Sequence, residues 1–153
     1  MNTIIFVEEC TSTNDELLRF LPQTHSEILG LFTLNQTKGR GQYGNSWENA
    51  TDKNIAFSLA LDGSAFSSDN LINFCTAVFL RNFIANLTDA ETKIKWPNDL
   101  ILNQKKISGI LIEKKKIENK NYYIIGIGLN VLQGNFENLN KAGLIFTQTG
   151  KKL

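Results

Sequence analysis

A glycine-rich segment in the first third of the chain has the composition of an anion-binding loop. Residues 36–44 read QTKGRGQYG, in which Gly39, Gly41 and Gly44 lie close to Arg40. Glycines let a backbone approach a ligand and turn its N–H groups toward an anion, and an arginine adds a fixed positive charge. The segment also fits the GxGxxG pattern of dinucleotide sites, but polar residues and a strand follow it instead of a helix, so a Rossmann site is not expected. A flexible surface loop is an equal alternative from this segment alone.

A second candidate lies in the sequence KWPND. Pro97 restricts the backbone around it, so that Asn98 and Asp99 are presented at the end of a strand with limited freedom. A carboxylate at this position could hold a metal ion or a ligand amine. The alternative is an ordinary Pro-Asn-Asp turn between two strands.

Two further segments near the C-terminal end of the strand-rich region carry chemistry. Lys106 immediately precedes ISGILIE and is a compact cation suited to a carboxylate or phosphate. Gly109, three residues later, leaves room for a ligand or another chain to approach. In IIGIGLN, Gly126 and Gly128 interrupt a β-branched strand without an evident packing benefit. Asn130 follows them with a donor and an acceptor that would suit an adenine edge. A solvated turn lysine and a β-bulge are the structural alternatives.

The hydrophobic pattern predicts the elements that position these residues. A helix is expected after residues 11–13, with Thr13 and Glu16 forming a capping box, and the longest helix is expected over residues 67–87, where a wide apolar stripe implies heavy burial against a sheet. Strands are predicted over residues 3–7, 28–34, 54–61, 93–96, 100–102, 107–116 and 122–131, the last four as two adjacent hairpins. Because strands cluster along the chain, we predict an α+β fold with a mixed, largely antiparallel sheet packed with helices.

Composition excludes several classes of protein. The chain has 153 residues and a net charge of +1, which fits one domain and not a general nucleic-acid binder. Cys10 and Cys75 are too few for a disulfide framework, and with His25 as the only histidine a zinc site is not expected. No membrane span and no leader are expected, so the predicted location is the cytoplasm.

Five short motifs occur together in one order. They are STN at residues 12–14, QTKGRG at 36–41, KWPND at 95–99, KISGILIE at 106–113 and GIGLN at 126–130. On these motifs the chain resembles the catalytic domain of biotin protein ligases, whose mixed sheet is related to class II aminoacyl-tRNA synthetase cores. The resemblance implies that residues 1–153 form one biotin/lipoate ligase-type catalytic domain, truncated at its C-terminus, without the small C-terminal β-barrel domain and without an N-terminal DNA-binding domain.

The resemblance implies a two-step ligation. Biotin and ATP, normally with Mg²⁺, give biotinyl-AMP and pyrophosphate, and a lysine of a biotin carboxyl carrier protein then takes the biotinyl group. The default acceptor is the carrier domain of acetyl-CoA carboxylase. Neither DNA nor a membrane is expected as a partner, and a homodimer formed by sheet extension is compatible with the sequence.

The resemblance also assigns roles to residues of this chain. Lys106, Arg40 and Asp99 would be catalytic, with Asp99 orienting the metal. Substrate-binding residues would be Ser12, Thr13, Asn14, Gln36, Gly39, Gly41 and Gly109, of which Ser12, Thr13 and Gln36 would hydrogen-bond the ureido ring of biotin. Nucleotide-binding residues would be Arg40, Trp47, Asn98 and Asn130.

The glycine loop departs from the pattern that many family members share. They have GRGRRGR where this chain has GRGQYGN, so that Gln42, Tyr43 and Asn45 replace arginines, and we expect looser retention of the adenylate. Two other functions stay open at this point. One is a lipoate or octanoyl ligase, although the arginine-plus-glycine-triplet loop and histidine of those enzymes are absent. The other is a truncated module that binds biotin without transferring it.

Overall fold

The main feature of the molecule is a seven-stranded sheet with a helix on each face. The computed structural model describes residues 2–23, 28–47, 50–65 and 68–132, together with residues 142, 143, 145 and 149. The helices are α1 (Thr13–Phe20) and α2 (Asp69–Thr88). The strands are β1 (Asn2–Phe6), β2 (Ile28–Thr33), β3 (Gly39–Arg40), β4 (Ser46–Trp47), β5 (Asn54–Asp62), β6 (Thr92–Lys95), β7 (Asp99–Leu102), β8 (Lys105–Ile117) and β9 (Lys120–Asn130).

The strand order in the large sheet is β1-β2-β5-β9-β8-β7-β6, and β3 pairs with β4 in a separate two-stranded sheet. Only the β1–β2 pair is parallel among the paired strands that the structure describes. The predicted α+β fold with a mixed, largely antiparallel sheet is therefore confirmed. The two predicted hairpins are present as β6–β7 and β8–β9. The edges of the sheet are β1 and β6, and dimerisation through either edge stays a prediction.

Short turns hold the strand-rich half in register. Asn103 and Gln104 form the two-residue turn between β7 and β8 with φ values of 46° and 63°, and Leu102 pairs directly with Lys105 across it. Positive φ at both turn residues is the geometry that matches the twist of a tight hairpin. The turn predicted from NQKK therefore places Lys106 near the start of β8.

Helix α1 begins one residue earlier than the capping-box prediction requires. Ser12 is the N-cap, and its side chain makes no capping hydrogen bond, so the predicted Thr13–Glu16 box is wrong. The Thr13 hydroxyl instead contacts Gln36 and Ser58, which takes it away from the helix terminus. The inner side of α1 contributes Leu17 to a core cluster shared with β2, β5 and β9.

Helix α2 is only partly buried. Its N-cap Ser68 accepts a hydrogen bond from the backbone N–H of Leu71, and Ile72 and Ile84 are fully buried against the sheet. The predicted heavy burial of the whole apolar stripe is wrong for its outer side, where 75% of Phe79 is exposed among the described residues. By length and composition α2 is also apolar enough to cross a bilayer, contrary to the sequence expectation, although a core helix meets the same criterion.

The two helices lie on opposite faces of the sheet. Ile124 belongs to the core cluster under α1, whereas the next residue, Ile125, belongs to the cluster under α2. Successive residues of a strand point to opposite faces, so even-numbered β9 residues face α1. Gly126 and Gly128 continue that even-numbered row beyond the α1 core.

Candidate functional site

A row of small residues leaves a depression on the α1 face of the sheet. On β5 and β9, Ala56 pairs with Gly128 and Ser58 pairs with Gly126. On β8, Gly109 is the cross-strand partner of Gly128. Because these positions carry little or no side chain, the sheet forms the floor of a cleft instead of a continuous core.

The hairpin β3–β4 covers one side of this cleft and inserts Trp47 into it. A Cβ added at Gly128 would collide with the Trp47 indole, and one added at Gly109 would lie 3.0 Å from it. Gly128, one of the two glycines that interrupt β9, therefore provides the seat of the indole ring together with Gly109. The indole N–H is buried and has no hydrogen-bond partner among the described residues. Trp47 thus brings an aromatic face and an unsatisfied donor into the cleft.

The hairpin is closed by its own backbone and by Asn45. The N–H of Gly41 donates to the Asn45 carbonyl at 2.6 Å, and the Asn45 side-chain amide donates to the Gln42 carbonyl at 2.9 Å. Tyr43 occupies the left-handed region at φ 57° and is 93% exposed. Of the three residues that replace family arginines, Asn45 therefore closes the turn and Tyr43 points to solvent.

The STN motif and Gln36 form the polar wall of the cleft. The backbone N–H of Thr13 donates to Gln36 Oε1 at 2.8 Å, and the Thr13 hydroxyl lies 3.2 Å from the same atom. Asn14 lies against Gly126, where an added Cβ would be 2.5 Å from Asn14 Oδ1. Ser12, Thr13, Asn14 and Gln36 are all buried and all line the cleft. They present polar atoms that a buried ligand with donors and acceptors could satisfy.

Arg40 lies at the mouth of the cleft between two carboxylates. Its Nη2 is 2.9 Å from Asp15 Oδ1 on α1 and 3.2 Å from Glu113 Oε2 on β8, and its Nη1 also pairs with Asp15. The hydrogen bond from Arg40 holds the pKa of Asp15 below its usual value, and Asp15 in turn raises the pKa of Arg40. Burial works to raise the pKa of Glu113, but hydrogen bonds from Asn14 and Lys115 leave it lowered. Arg40 is therefore a permanent cation held in place from two elements.

Lys106 and Asp99 form the second charged group of the cleft. Lys106 Nζ lies 2.7 Å from Asp99 Oδ1 and 5.7 Å from the centroid of the Trp47 ring. Asn98 fixes the preceding turn to β8, because its side-chain amide donates to the Ile110 carbonyl at 3.1 Å and its own carbonyl accepts from the Ile110 N–H at 2.9 Å. The lysine is thus oriented toward the cleft by an ion pair and an aromatic ring.

All five motifs contribute residues to this one cleft. The predicted residues that line it are Ser12, Thr13, Asn14, Gln36, Arg40, Gly41, Trp47, Asn98, Asp99, Lys106 and Gly109. Gly39 lies directly behind them, where an added Cβ would be 2.5 Å from Gln36 Nε2. Asn130 is not brought to the lining: it is buried, and its side-chain amide donates to the Lys106 carbonyl at 3.4 Å. His25 lies outside the described residues.

The comparisons with known proteins place these motifs in a family. The model of the biotin/lipoate A/B protein ligase family matches residues 5–130. The chain belongs to this family. Among curated relatives of this ligase-family chain, the biotin--[acetyl-CoA-carboxylase] ligase of Mycobacterium tuberculosis is 29% identical over 133 residues, which is 83% of this chain and 48% of that protein.

Solved structures of ligases agree with the fold. A biotin protein ligase from Aquifex aeolicus in complex with biotin and ATP is 28% identical, with a TM-score of 0.83, and the match covers 100% of this chain and 63% of that one. A ligase from Leishmania major in complex with biotinyl-5-AMP is 25% identical, with a TM-score of 0.82, covering 97% of this chain and 65% of that one. This ligase-family chain therefore spans about half to two thirds of the length of these relatives.

Three residues at the cleft of this ligase-family chain were not predicted from the sequence as site residues. Ser58 is completely buried beneath Thr13 and Asn14, and Asp15 and Glu113 hold Arg40. The alternation of small residues on β5 was the available signal for Ser58, because Ala56, Ser58 and Ala60 all face α1. No single-strand pattern pointed to Asp15 or Glu113, since their partner is distant in sequence.

Proposed function

We propose that this chain activates biotin with ATP to biotinyl-AMP and supports transfer of the biotinyl group to a lysine of a carrier protein. The observation that carries the proposal is the convergence of five motifs on one cleft that has a polar wall at one end and two cations, Arg40 and Lys106, along it. The named relatives, two of them with biotin and ATP or biotinyl-AMP bound, support biotin over lipoate as the substrate.

In the first step a carboxylate oxygen of biotin attacks the α-phosphate of ATP, a new P–O bond forms, and pyrophosphate leaves. Both reactants are anionic, so the protein's contribution is to hold them together and to offset their charge. Lys106 is the cation best placed for this, because its ammonium group lies inside the cleft beside Trp47. Ser12, Thr13 and Gln36 would bind the ureido ring, and the loop with Gly39, Arg40 and Gly41 would enclose the carboxylate and phosphate.

No side-chain nucleophile is required, because the substrate carboxylate attacks in the first step and the carrier lysine in the second. In the second step the lysine amine forms an amide with the biotinyl carbon, and AMP leaves. The carrier is proposed to be that of acetyl-CoA carboxylase, because the relative from Mycobacterium tuberculosis is a biotin--[acetyl-CoA-carboxylase] ligase.

We propose that Mg²⁺ enters this cleft as an ion held mainly by the nucleotide. Asp99 is the only carboxylate among the described residues that line the cleft, and it is already paired with Lys106 and lies 3.7 Å from Lys95. No group of three His, Cys, Asp or Glu residues converges within the described part of the chain. Mg²⁺ commonly binds through one or two carboxylates plus substrate phosphates, where it neutralises phosphate charge. Asp99 would be its protein ligand here.

Two measurements test the proposal. Calorimetric titration with biotin and with lipoate decides the substrate, and we expect heat only with biotin. Incubation with labelled biotin and MgATP, followed by separation of the products, decides the reaction, and we expect labelled biotinyl-AMP. Binding of biotin without adenylate formation would favour a binding module, whereas binding of lipoate alone would favour the lipoate ligases.

A further inference from the structure

A continuous set of polar contacts links the floor of the cleft to its mouth. Ser58 Oγ lies 2.6 Å from Asn14 Oδ1, Asn14 Nδ2 lies 2.7 Å from Glu113 Oε2, and the same Glu113 oxygen lies 3.2 Å from Arg40 Nη2. These four residues come from β5, α1, β8 and β3, and we refer to them as the polar network. Together they connect the polar wall that contains Asn14 with the cation at the mouth.

The available protons allow only one arrangement of donors and acceptors in the polar network. The carboxylate of Glu113 can only accept, so the NH₂ group of Asn14 must face it and the amide oxygen must face Ser58. An amide oxygen also only accepts, so the single hydroxyl proton of Ser58 goes to Asn14, and in the 2.7 Å contact between Ser58 and Thr13 the Thr13 hydroxyl is then the donor. The negative charge on Glu113 therefore decides which way the Asn14 amide points, and this amide lines the cleft.

The residues around Asn14 hold its side-chain amide in one orientation. Asn14 is 4% exposed, Ser58 is 0% exposed, and Gly126 lies directly beneath the amide. Rotation of the amide by half a turn would place its NH₂ group against Ser58 and its oxygen against the Glu113 carboxylate. Two buried acceptor oxygens that face each other without a proton between them are destabilising. Loss of the Asn14 contact with Glu113 should therefore also weaken its contact with Ser58.

We propose that Glu113 and Ser58 are positioning residues for the ligand site, which act together by fixing the side-chain amide of Asn14 between them. This inference rests on the proposed function only where it names biotin as the ligand whose ring lies against the polar wall that contains Asn14. Because Glu113 also contacts Arg40, the same carboxylate sets the orientation of the wall and helps to hold the cation at the mouth.

The test is a double-mutant cycle with Ser58→Ala, Glu113→Gln and the double variant. Asn14 contacts both Ser58 and Glu113, so we expect coupling between these two residues to run through Asn14. We expect each single variant to weaken biotin binding about tenfold in calorimetry, and the double variant to weaken it by little more than either. A loss near a hundredfold in the double variant, or no loss in the singles, overturns the proposal.

Controls separate positioning from folding. Glu91→Gln removes an exposed ion pair with Lys93 by the same chemical change, and its biotin affinity should equal that of wild type. If Glu113→Gln does not fold, Glu113→Asp completes the cycle, because it keeps the charge but withdraws the carboxylate from Asn14. If wild type binds no biotin, the proposed function fails by itself. The same four proteins then decide the network by denaturant unfolding, where additive losses refute it and non-additive losses support it.

Discussion

The most informative perturbation of this cleft is Lys106→Met. Methionine keeps an unbranched apolar stem at the start of β8 and removes only the ammonium group, which lies 2.7 Å from Asp99 Oδ1 and 5.7 Å from the centre of the Trp47 ring. If the proposed function is correct, Lys106 offsets the charge that develops between the biotin carboxylate and the α-phosphate. The substitution should then slow adenylate formation much more than it weakens biotin binding.

The size of the effect follows from distance and exposure. Two unit charges about 4 Å apart interact by about 4 kcal/mol near a protein surface and by about 1 kcal/mol in water. The Lys106 side chain is 34% exposed, so a value between these limits, about 3 kcal/mol, is appropriate. That corresponds to roughly a hundredfold loss of rate. Biotin affinity should change by less than about tenfold, or roughly 1.4 kcal/mol, because the site proposed for its ring is at the other end of the cleft.

Single-turnover formation of labelled biotinyl-AMP measures the rate, and calorimetry measures the affinity. Lys105→Met is the matched control, because it removes the adjacent lysine, which does not line the cleft. We expect the control to form adenylate at the wild-type rate. A Lys106→Met protein with undiminished single-turnover rate would remove this residue from its role, and equal losses in rate and affinity would make it a binding residue only.

Three further outcomes follow from the geometry of the cleft. Gly128→Ala should displace the indole of Trp47 and destabilise the fold by about 1–3 kcal/mol. We expect red-shifted tryptophan emission, measured in a Trp96→Phe background, and weaker adenylate binding. Unchanged emission would refute the seat described for the ring. The ion pair of Asp15 with Arg40 is half exposed, so Asp15→Asn should cost less than about 1 kcal/mol at neutral pH. Because the pKa of Asp15 is lowered in the folded state from its ordinary 3.8, this stabilisation is present above that pH and disappears as the pH falls through the folded-state pKa; a difference in unfolding free energy that persists in strong acid would contradict the pairing. Gln42→Arg should slow release of biotinyl-AMP in a chase with unlabelled ligand, and equal or faster release would reject the link between the missing arginines and loose retention.

Much of the fold could be predicted from local patterns. The strands around residues 28–34, 54–61 and 122–131 were within a few residues of their bounds, because β-branched alternation and polar turns mark them. The long helix was similarly placed. Its exposed outer side was not foreseen, because periodicity reports how wide an apolar stripe is and not what covers it.

The site was predicted less completely, for a physical reason. Lys106 could be chosen by its chemical type, and Gln36 through the motif that resembles the ligase family. Ser58 and Glu113 contact Asn14 from 44 and 99 residues away in sequence, so only the strand register brings them to the cleft. Asn130 shows the converse: this strand-end side chain does not line the cleft and donates to the Lys106 carbonyl, and its role in nucleotide binding stays a prediction.

The pairing of Gly109 with Gly128 has a practical consequence for ligand design. The slot that receives the Trp47 ring is floored by hydrogen atoms alone, so its depth is set by one residue of a surface hairpin and not by the sheet. Trp47→Phe would open unfilled space at this point while every strand of the seven-stranded sheet keeps its sequence. A substrate analogue that carries an extra group there would then select the altered protein over the original.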